Sequence, residues 1–409
     1  MESKFADIHV HTSLKPYAYM KYPEGDVKTM WDKFDERKKD LKKLCFLIKN
    51  SAKELAKSSQ ANLDACVDAN LVCPFLSLYP VERQWFDVKP KNLFWRLLLP
   101  KWKYHHMGAA LSGFPTEYVK RIMLRIKNLR GIDYFNEELL PLMDFTLNHM
   151  NSRSKKYPYY TFKIATDYNE FVRFTSEDKT ICGILTVEGG NSLGNYYSHN
   201  IFSKEYIGLD TNEKKNLRDS FIANINVLKS WKGGRYTPFF ISFCHHYNNL
   251  LAGHSKSLGK FGNLLDQKPG LDKGFNDLGK EILELLLSKD NGRRILIDTK
   301  HMSIQSRIYY HDLVKQRRSQ DDKIPIIQSH AAISVWKTFQ ESGRQIEDEN
   351  LDKDAYFSQW KVNINDNEIL DIYDSDGIIG IVFPRLTGAS PSRAPSPRRY
   401  RPATASLAT

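Results

Sequence analysis

Two histidines at alternate positions, His9 and His11, close an apolar run near the start of the chain, FADIHV followed by His11. Alternate residues of a strand share a face, so an H-x-H there turns two imidazoles toward one point. Imidazole nitrogen is a good ligand for zinc at neutral pH. Alone the pattern is weak, because half-buried histidines with no special role look the same. Asp7, two residues earlier, is placed to orient an imidazole. Glu188 ends a second run, ILTVE, and the two glycines after it permit a tight turn and close approach. His245 and His246 end FFISFCHH. Adjacent strand residues point to opposite faces, so at most one of this pair should face a common centre. His301 follows ILIDTK and His330 follows IPIIQS. Each of these alone reads equally well as an ordinary strand-end residue. Together, His9, His11, Glu188, His245, His301 and His330 stand at the carboxyl ends of successive apolar runs, while the other six histidines fall in loops or helices. The chemistry such a set asks for is a pair of metal ions, with Glu188 able to bridge them.

Bringing these residues together takes a particular arrangement of elements. Strands are predicted at 5–10, 71–78, 181–187, 239–244, 294–298, 324–328 and 377–383, and helices at 30–57, 116–129, 137–151, 213–229, 276–288 and 303–316. Strands alternating with helices argue for parallel βα units. Near-continuous apolar strands such as RILIDT and IPIIQS suit a sheet covered on both faces. The expected fold is α/β, a TIM-type (β/α)8 barrel, whose active sites lie at the carboxyl ends of the strands. Seven strands are counted where a full barrel needs eight, so the barrel reads as truncated after the seventh. Residues 1–386 form the expected barrel domain. An insertion at about 80–179, with the aromatic and basic stretch FDVKPKNLFWRLLLPKWKYHHMG, is expected to cover one barrel end or to form a homodimer contact. Residues 387–409 contain no Lys, Asn, Asp, Glu or Ile and read as a disordered, foreign-looking tail.

Composition narrows the partners. The formal charge is +12, but the tail holds four Arg and no acid, which leaves +8 over the first 386 residues. Most of that positive charge is Lys mixed with Asp and Glu, the pattern of solvated helix faces, and no basic strip with alternating aromatics suits nucleic acid. Five scattered cysteines without a C-x-x-C read as buried thiols of a reducing compartment. No signal-peptide pattern opens the chain and no apolar run approaches the ~20 residues that span a bilayer. A cytoplasmic protein that binds a small substrate, with neither membrane nor nucleic acid as partner, is expected.

Several short motifs occur in order: DIHVH at 7–11, VEGGNSL at 187–193, ISFCH at 241–245 followed by Asn248 and Asn249, GLDKGFNDLGKEI at 270–282, LIDTKHMS at 296–303 and SHAA at 329–332. In these the chain resembles the membrane-dipeptidase-like (renal dipeptidase, M19) branch of the amidohydrolase superfamily. The resemblance covers the first strand and about 200 residues of the second half, and leaves out the insertion. It implies a (β/α)8 barrel with two divalent metal ions, zinc in type, that hydrolyses a dipeptide or similar amide through a metal-bridging hydroxide. By the same resemblance His9 and His11 would hold the first metal, Glu188 would bridge and also serve catalysis, and His301 and His330 would hold the second. His245 would act as a catalytic, substrate-polarising group. Arg344, in RQIEDENL, would take the substrate carboxylate, although a surface arginine reads the same. Asp298 would support the ligands.

The chain departs from that pattern twice. His11 stands where the dipeptidases usually carry Asp. The Asp that the family places on its eighth strand has no counterpart in the tail, which implies impaired activity and exposed edges on the first and seventh strands. Two other readings remain open. DIHVHTS also resembles the opening of polymerase-and-histidinol-phosphatase phosphoesterases, whose barrels have seven strands. A degenerate barrel serving as a binding or scaffold protein is the third.

Overall fold

The computed structural model describes residues 4–26, 28–34, 37–44, 49, 61–90, 93, 97, 99–258, 264–334, 336–343 and 360–381. Arg344 and the tail at 387–409 lie outside the described residues, as do Cys45 and much of the helix expected at 30–57.

Ten strands are described: β1 (Phe5–Val10), β2 (Leu71–Leu78), β3 (Arg130–Asp133), β4 (Thr161–Ile164), β5 (Thr180–Glu188), β6 (Asn195–Ser198), β7 (Phe240–Ser242), β8 (Leu296–Asp298), β9 (Ile327–Ala331) and β10 (Ile378–Ile381). Seven of them form a continuous parallel path in the order β1-β2-β5-β7-β8-β9-β10. The path curls back so that β1 lies close to both β9 and β10, giving a nearly closed barrel. Among the described residues no backbone pairing joins β1 to β10. Even so, a Cβ on Gly380 would sit 2.8 Å from Ile8 Cγ1.

The strands are those read from the apolar runs, with ends shifted by a few residues. The central ones, β5, β7 and β8, are apolar and almost wholly buried because both faces are covered, whereas β1 and β10 at the ends of the path are partly exposed. β5 is buried along its whole length apart from Ile184. The helices between the strands begin at polar caps: Asp210 with Glu213 for Thr211–Ser230, Asn276 for Asp277–Leu287, Ser303 for Ile304–Ser319, and Asn365 with Glu368 for Asp366–Asp374. The last two are joined by a fully buried ion pair, Arg307 Nη1 to Glu368 Oε1 at 2.7 Å.

The segment at 80–179 is not wholly an excursion. Its β4 joins the sheet, parallel to the first half of β5, from Thr161↔Thr180 to Ile164↔Gly183. The helix Tyr168–Ser176, capped by Asp167, then completes a βα unit that the run TFKI was too short to announce. Upstream, the helices Tyr104–Ser112 and Thr116–Lys127 pack together. β3 pairs antiparallel with β6, which ties this segment to the loop after β5. Four of the five cysteines are described, and all four are free and buried. No helix among the described residues is long and apolar enough to cross a membrane.

Candidate metal centre

Glu188 is the centre of the site. It ends β5, is 2% exposed, and is followed by Gly189 at φ +87° and by Gly190, where a Cβ would fall 2.6 Å from Phe243 O. The two glycines therefore serve the tight turn and the close approach that the sequence suggests. His9 Nε2 lies 3.2 Å from Glu188 Oε1, His11 Nε2 lies 3.2 Å from Oε2, and His245 Nε2 lies 3.3 Å from Oε1. The H-x-H pair thus meets a single carboxylate. The register of β1 against β2 slips between Asp7 and Val10, an irregularity of the kind that re-aims side chains beside sites.

His301 and His330 approach from β8 and β9, their Nε2 atoms 3.1 Å apart. The His330 and His9 ring centroids are 4.1 Å apart. His9, Glu188 and His330 form one set with ligand atoms within 4.8 Å of one another; His245, His246 and His301 form a second. All six expected rim residues therefore converge.

His246 is a correction. Both rings of the His245–His246 pair line the cavity, with centroids 3.9 Å apart. Strand alternation does not govern them because β7 ends at Ser242, short of the expected end, and the chain is already turning. Asp7 is a second correction. Its Oδ1 accepts from the backbone N–H of His9 at 3.0 Å and from no imidazole nitrogen. Asp298 is fully buried. It accepts from Ser242 Oγ, from Ser329 Oγ at 2.6 Å, and from the Ser329 and Lys300 backbone N–H groups, so it fastens β7, β8 and β9 together under the cluster.

The residue that sequence reasoning missed is Glu82, four positions past the end of β2 and 2% exposed. Its Oε2 lies 2.6 Å from His245 Nδ1, and its Oε1 accepts from the Tyr247 backbone N–H at 3.2 Å. Tyr79 Oη also donates to it, at 3.1 Å. No spacing signal marks it, since it becomes relevant only when residue 82 is brought beside residue 245.

Hydrogen bonding fixes which ring nitrogens face inward. Ser77 O can only accept, so His11 Nδ1 donates to it at 3.0 Å. His245 Nδ1 donates to Glu82 in the same way. Ser329 Oγ gives its one proton to Asp298, so His330 Nδ1 donates to Ser329 Oγ at 2.8 Å. The Nε2 atoms of all three rings are thereby directed into the cluster, the arrangement by which an outer acceptor prepares an imidazole for a metal. His9 Nδ1 and His301 Nδ1 are buried without a hydrogen-bond partner among the described residues. Imidazoles and one carboxylate make a donor set suited to zinc.

Electrostatics divides the cluster. Burial raises and the neighbouring histidines lower the Glu188 carboxyl, and the net effect holds it well below the ordinary carboxylate range. Burial alone would lower His9 and His245, but Glu188 raises both above the usual imidazole value, helped at His245 by Glu82. His246, His301 and His330 go the other way, pushed well below it by burial and by neighbouring positive groups. One of those groups is Lys300, itself brought down to about 8 by burial. Glu188 is thus favoured as the carboxylate and favours protonation of His9 and His245, so a cation there competes with protons, whereas His246, His301 and His330 are biased toward the neutral ring with a free lone pair.

No protein-family model matches the chain, and no curated protein matches it in sequence. Among solved structures it is similar to the crystal structure of the dipeptidase AC, a metallo peptidase of family M19, at 12% identity and a TM-score of 0.37, over 82% of this chain and 68% of that one.

Proposed function

We propose that the chain is a metal-dependent hydrolase of small amides, with dipeptides as the model substrates and two zinc ions as cofactors. The observation that carries this reading is the ring orientation: His11, His245 and His330 each commit Nδ1 to an acceptor and turn Nε2 toward the buried Glu188 or its neighbours. His9, His11 and Glu188 would hold one cation, and His301 and His330 the other, with Glu188 between them. When bound, such cations lower the pKa of water and polarise a carbonyl oxygen.

The chain's own residues do the rest. Glu82 holds His245 through Nδ1, which keeps Nε2 aimed at the centre and supports a proton there. That proton is the one to hydrogen-bond the substrate carbonyl as it gains charge. Asp298, through Ser329, fixes the His330 ring. Arg344 remains the proposed contact for a substrate carboxylate.

The seven-strand path and the DIHVHTS opening favour a phosphoesterase. Against it, the described residues lining the cavity include no Lys or Arg to meet a phosphate dianion. Metal analysis of the purified protein, beside turnover of a dipeptide panel and of p-nitrophenyl phosphate, tests the reading. Bound zinc with zinc-dependent amide hydrolysis is expected. Turnover of the phosphate ester alone would overturn the amide reading in favour of the phosphoesterase, and absence of both metal and turnover would overturn it in support of a scaffold.

A further inference from the structure

The metal centre opens into a cavity of about 750 Å³, in the upper part of the roughly 300–1,000 Å³ range that holds drug-sized ligands. A minimal dipeptide leaves much of such a space empty. Away from the histidines and Glu188, the lining is dominated by apolar side chains, among them Leu14, Phe86, Met107, Leu111, Leu258 and Leu265. Among the described lining residues there is no Lys, Arg or Asp, and Glu188 is the one carboxylate. The polar atoms on this wall are already engaged: Trp85 Nε1 donates to Tyr79 Oη at 2.9 Å, and Ser112 Oγ donates to Gly108 O at 2.8 Å. The wall is also preformed, because Met107, Leu258 and Leu265 are buried members of one packed cluster against which Leu111 rests. Such a surface has little to offer a charged or hydrogen-bonding group and gains free energy by covering apolar area.

We propose that this wall is an apolar subsite, and that the substrates of the metal centre are amides carrying a bulky hydrophobic acyl group or side chain beside the scissile bond. The inference rests on the hydrolase reading and adds to it the class of substrate. Its reach comes from the segment between β2 and β5, which supplies Phe86, Met107 and Leu111. The strands thus carry the chemistry and the inserted helices carry the selectivity.

The test is a series of N-acylglycine amides with acyl chains from acetyl to decanoyl, hydrolysed by the full-length, zinc-loaded protein. kcat/KM is expected to rise roughly threefold to fourfold per added methylene until the cavity is filled, the ratio that corresponds to about 0.8 kcal/mol per buried CH2. Leu111→Gln should cut the decanoyl-to-acetyl ratio about tenfold while bound zinc and melting temperature stay at wild-type values; Leu14→Gln is the second variant should the first fold poorly. A flat profile in an active enzyme overturns the subsite and leaves the hydrolase standing. If no amide is turned over, the hydrolase reading fails and the subsite is decided by metal-free protein and the uncharged fluorophore N-phenyl-1-naphthylamine. Saturable binding that Leu111→Gln weakens supports it, and absence of binding overturns it.

Discussion

The two ends of the barrel are built from the same strands and do opposite things with them. At the carboxyl ends, eight ionisable side chains, the six rim residues with His246 and Glu82, are gathered around one centre, buried or half-buried, and most of their polar atoms meet a partner. Against the starts of β1, β2, β7 and β10 lies a second cavity of about 660 Å³, lined by residues such as Ile8, Phe75, Ile184, Phe239 and Ile378. Two of the charges at its edge are paired, Arg235 Nη2 with Glu170 Oε1 at 2.6 Å and Arg294 Nη2 with Asp322 Oδ1 at 2.8 Å, while Arg293 meets backbone carbonyls and Asp167 caps a helix. The starts of the strands present mostly apolar side chains, with charges confined to the edge. Their ends gather polar groups that are satisfied by one another and by nearby backbone, with ligand atoms left close enough together to hold a metal ion. That division, chemistry at one end and cohesion at the other, is the one expected of a parallel barrel.

Substitutions at the two ends should therefore separate activity from stability. The largest effect on activity is expected from Glu188→Gln. It should lower zinc content and reduce kcat by roughly 10²–10⁴-fold, the usual scale for loss of a central acid–base or ligating group. Full turnover in that variant would break the comparison at its polar end. Phe240→Ala, in a strand at the core and 1% exposed, should cost about 3–5 kcal/mol of unfolding free energy in urea titrations and leave zinc stoichiometry unchanged in the folded fraction. A loss of zinc that precedes unfolding would show the two ends to be coupled.

Glu82→Gln should be milder, lowering kcat about 10–100-fold as for the loss of a group that orients a ligating or catalytic imidazole. Because Glu82 helps to raise His245, its loss should also move the alkaline limb of the pH–rate profile to lower pH. An unmoved limb would remove His245 from the rate-governing proton.

The smallest effect concerns His301, which holds a left-handed backbone at φ +67°, a conformation that Asn tolerates better than most residues. In the metal-free fold burial and its neighbours keep His301 neutral well below pH 6.5, whereas the unfolded chain takes up a proton there. Its contribution is thus present above pH 6.5 and lost as pH falls toward its depressed folded value. In EDTA, His301→Asn should gain on wild type by about 1.4 kcal/mol per pH unit below 6.5. Parallel stability curves at pH 7.5, 6.0 and 5.0 would sink the assignment.

Much of this was legible in one dimension. The apolar runs that become β1, β2, β5, β7, β8, β9 and β10 carry their own signal, strongest where both faces are covered, as along β5, because such a strand must be apolar almost throughout. Residues at the ends of such runs are forced to the same rim once the strands are parallel, which is why His9, His11, Glu188, His245, His301 and His330 were visible as a group. β4 was not, since four residues of mixed polarity inside a long connection resemble any loop until β5 offers them a partner. His246 was misjudged because alternation was carried three or four residues past the point where β7 stops.

By itself, the order of residue types along the chain determined the parallel α/β path, the identity of six rim residues and the class of ligand they suit. Each of those follows from local periodicity and from the chemistry of a side chain. Tertiary structure alone decided that Glu82 holds His245, that Ser77, Ser329 and Asp298 set which ring nitrogens face inward, and that the inserted helices wall the cavity with apolar side chains. Apart from the adjacent Ser329–His330 pair, the hydrogen bonds among these span 31 to 163 positions. No repeat or spacing encodes them, because hydrogen bonds and packing at such distances are chosen by the folded shape as a whole.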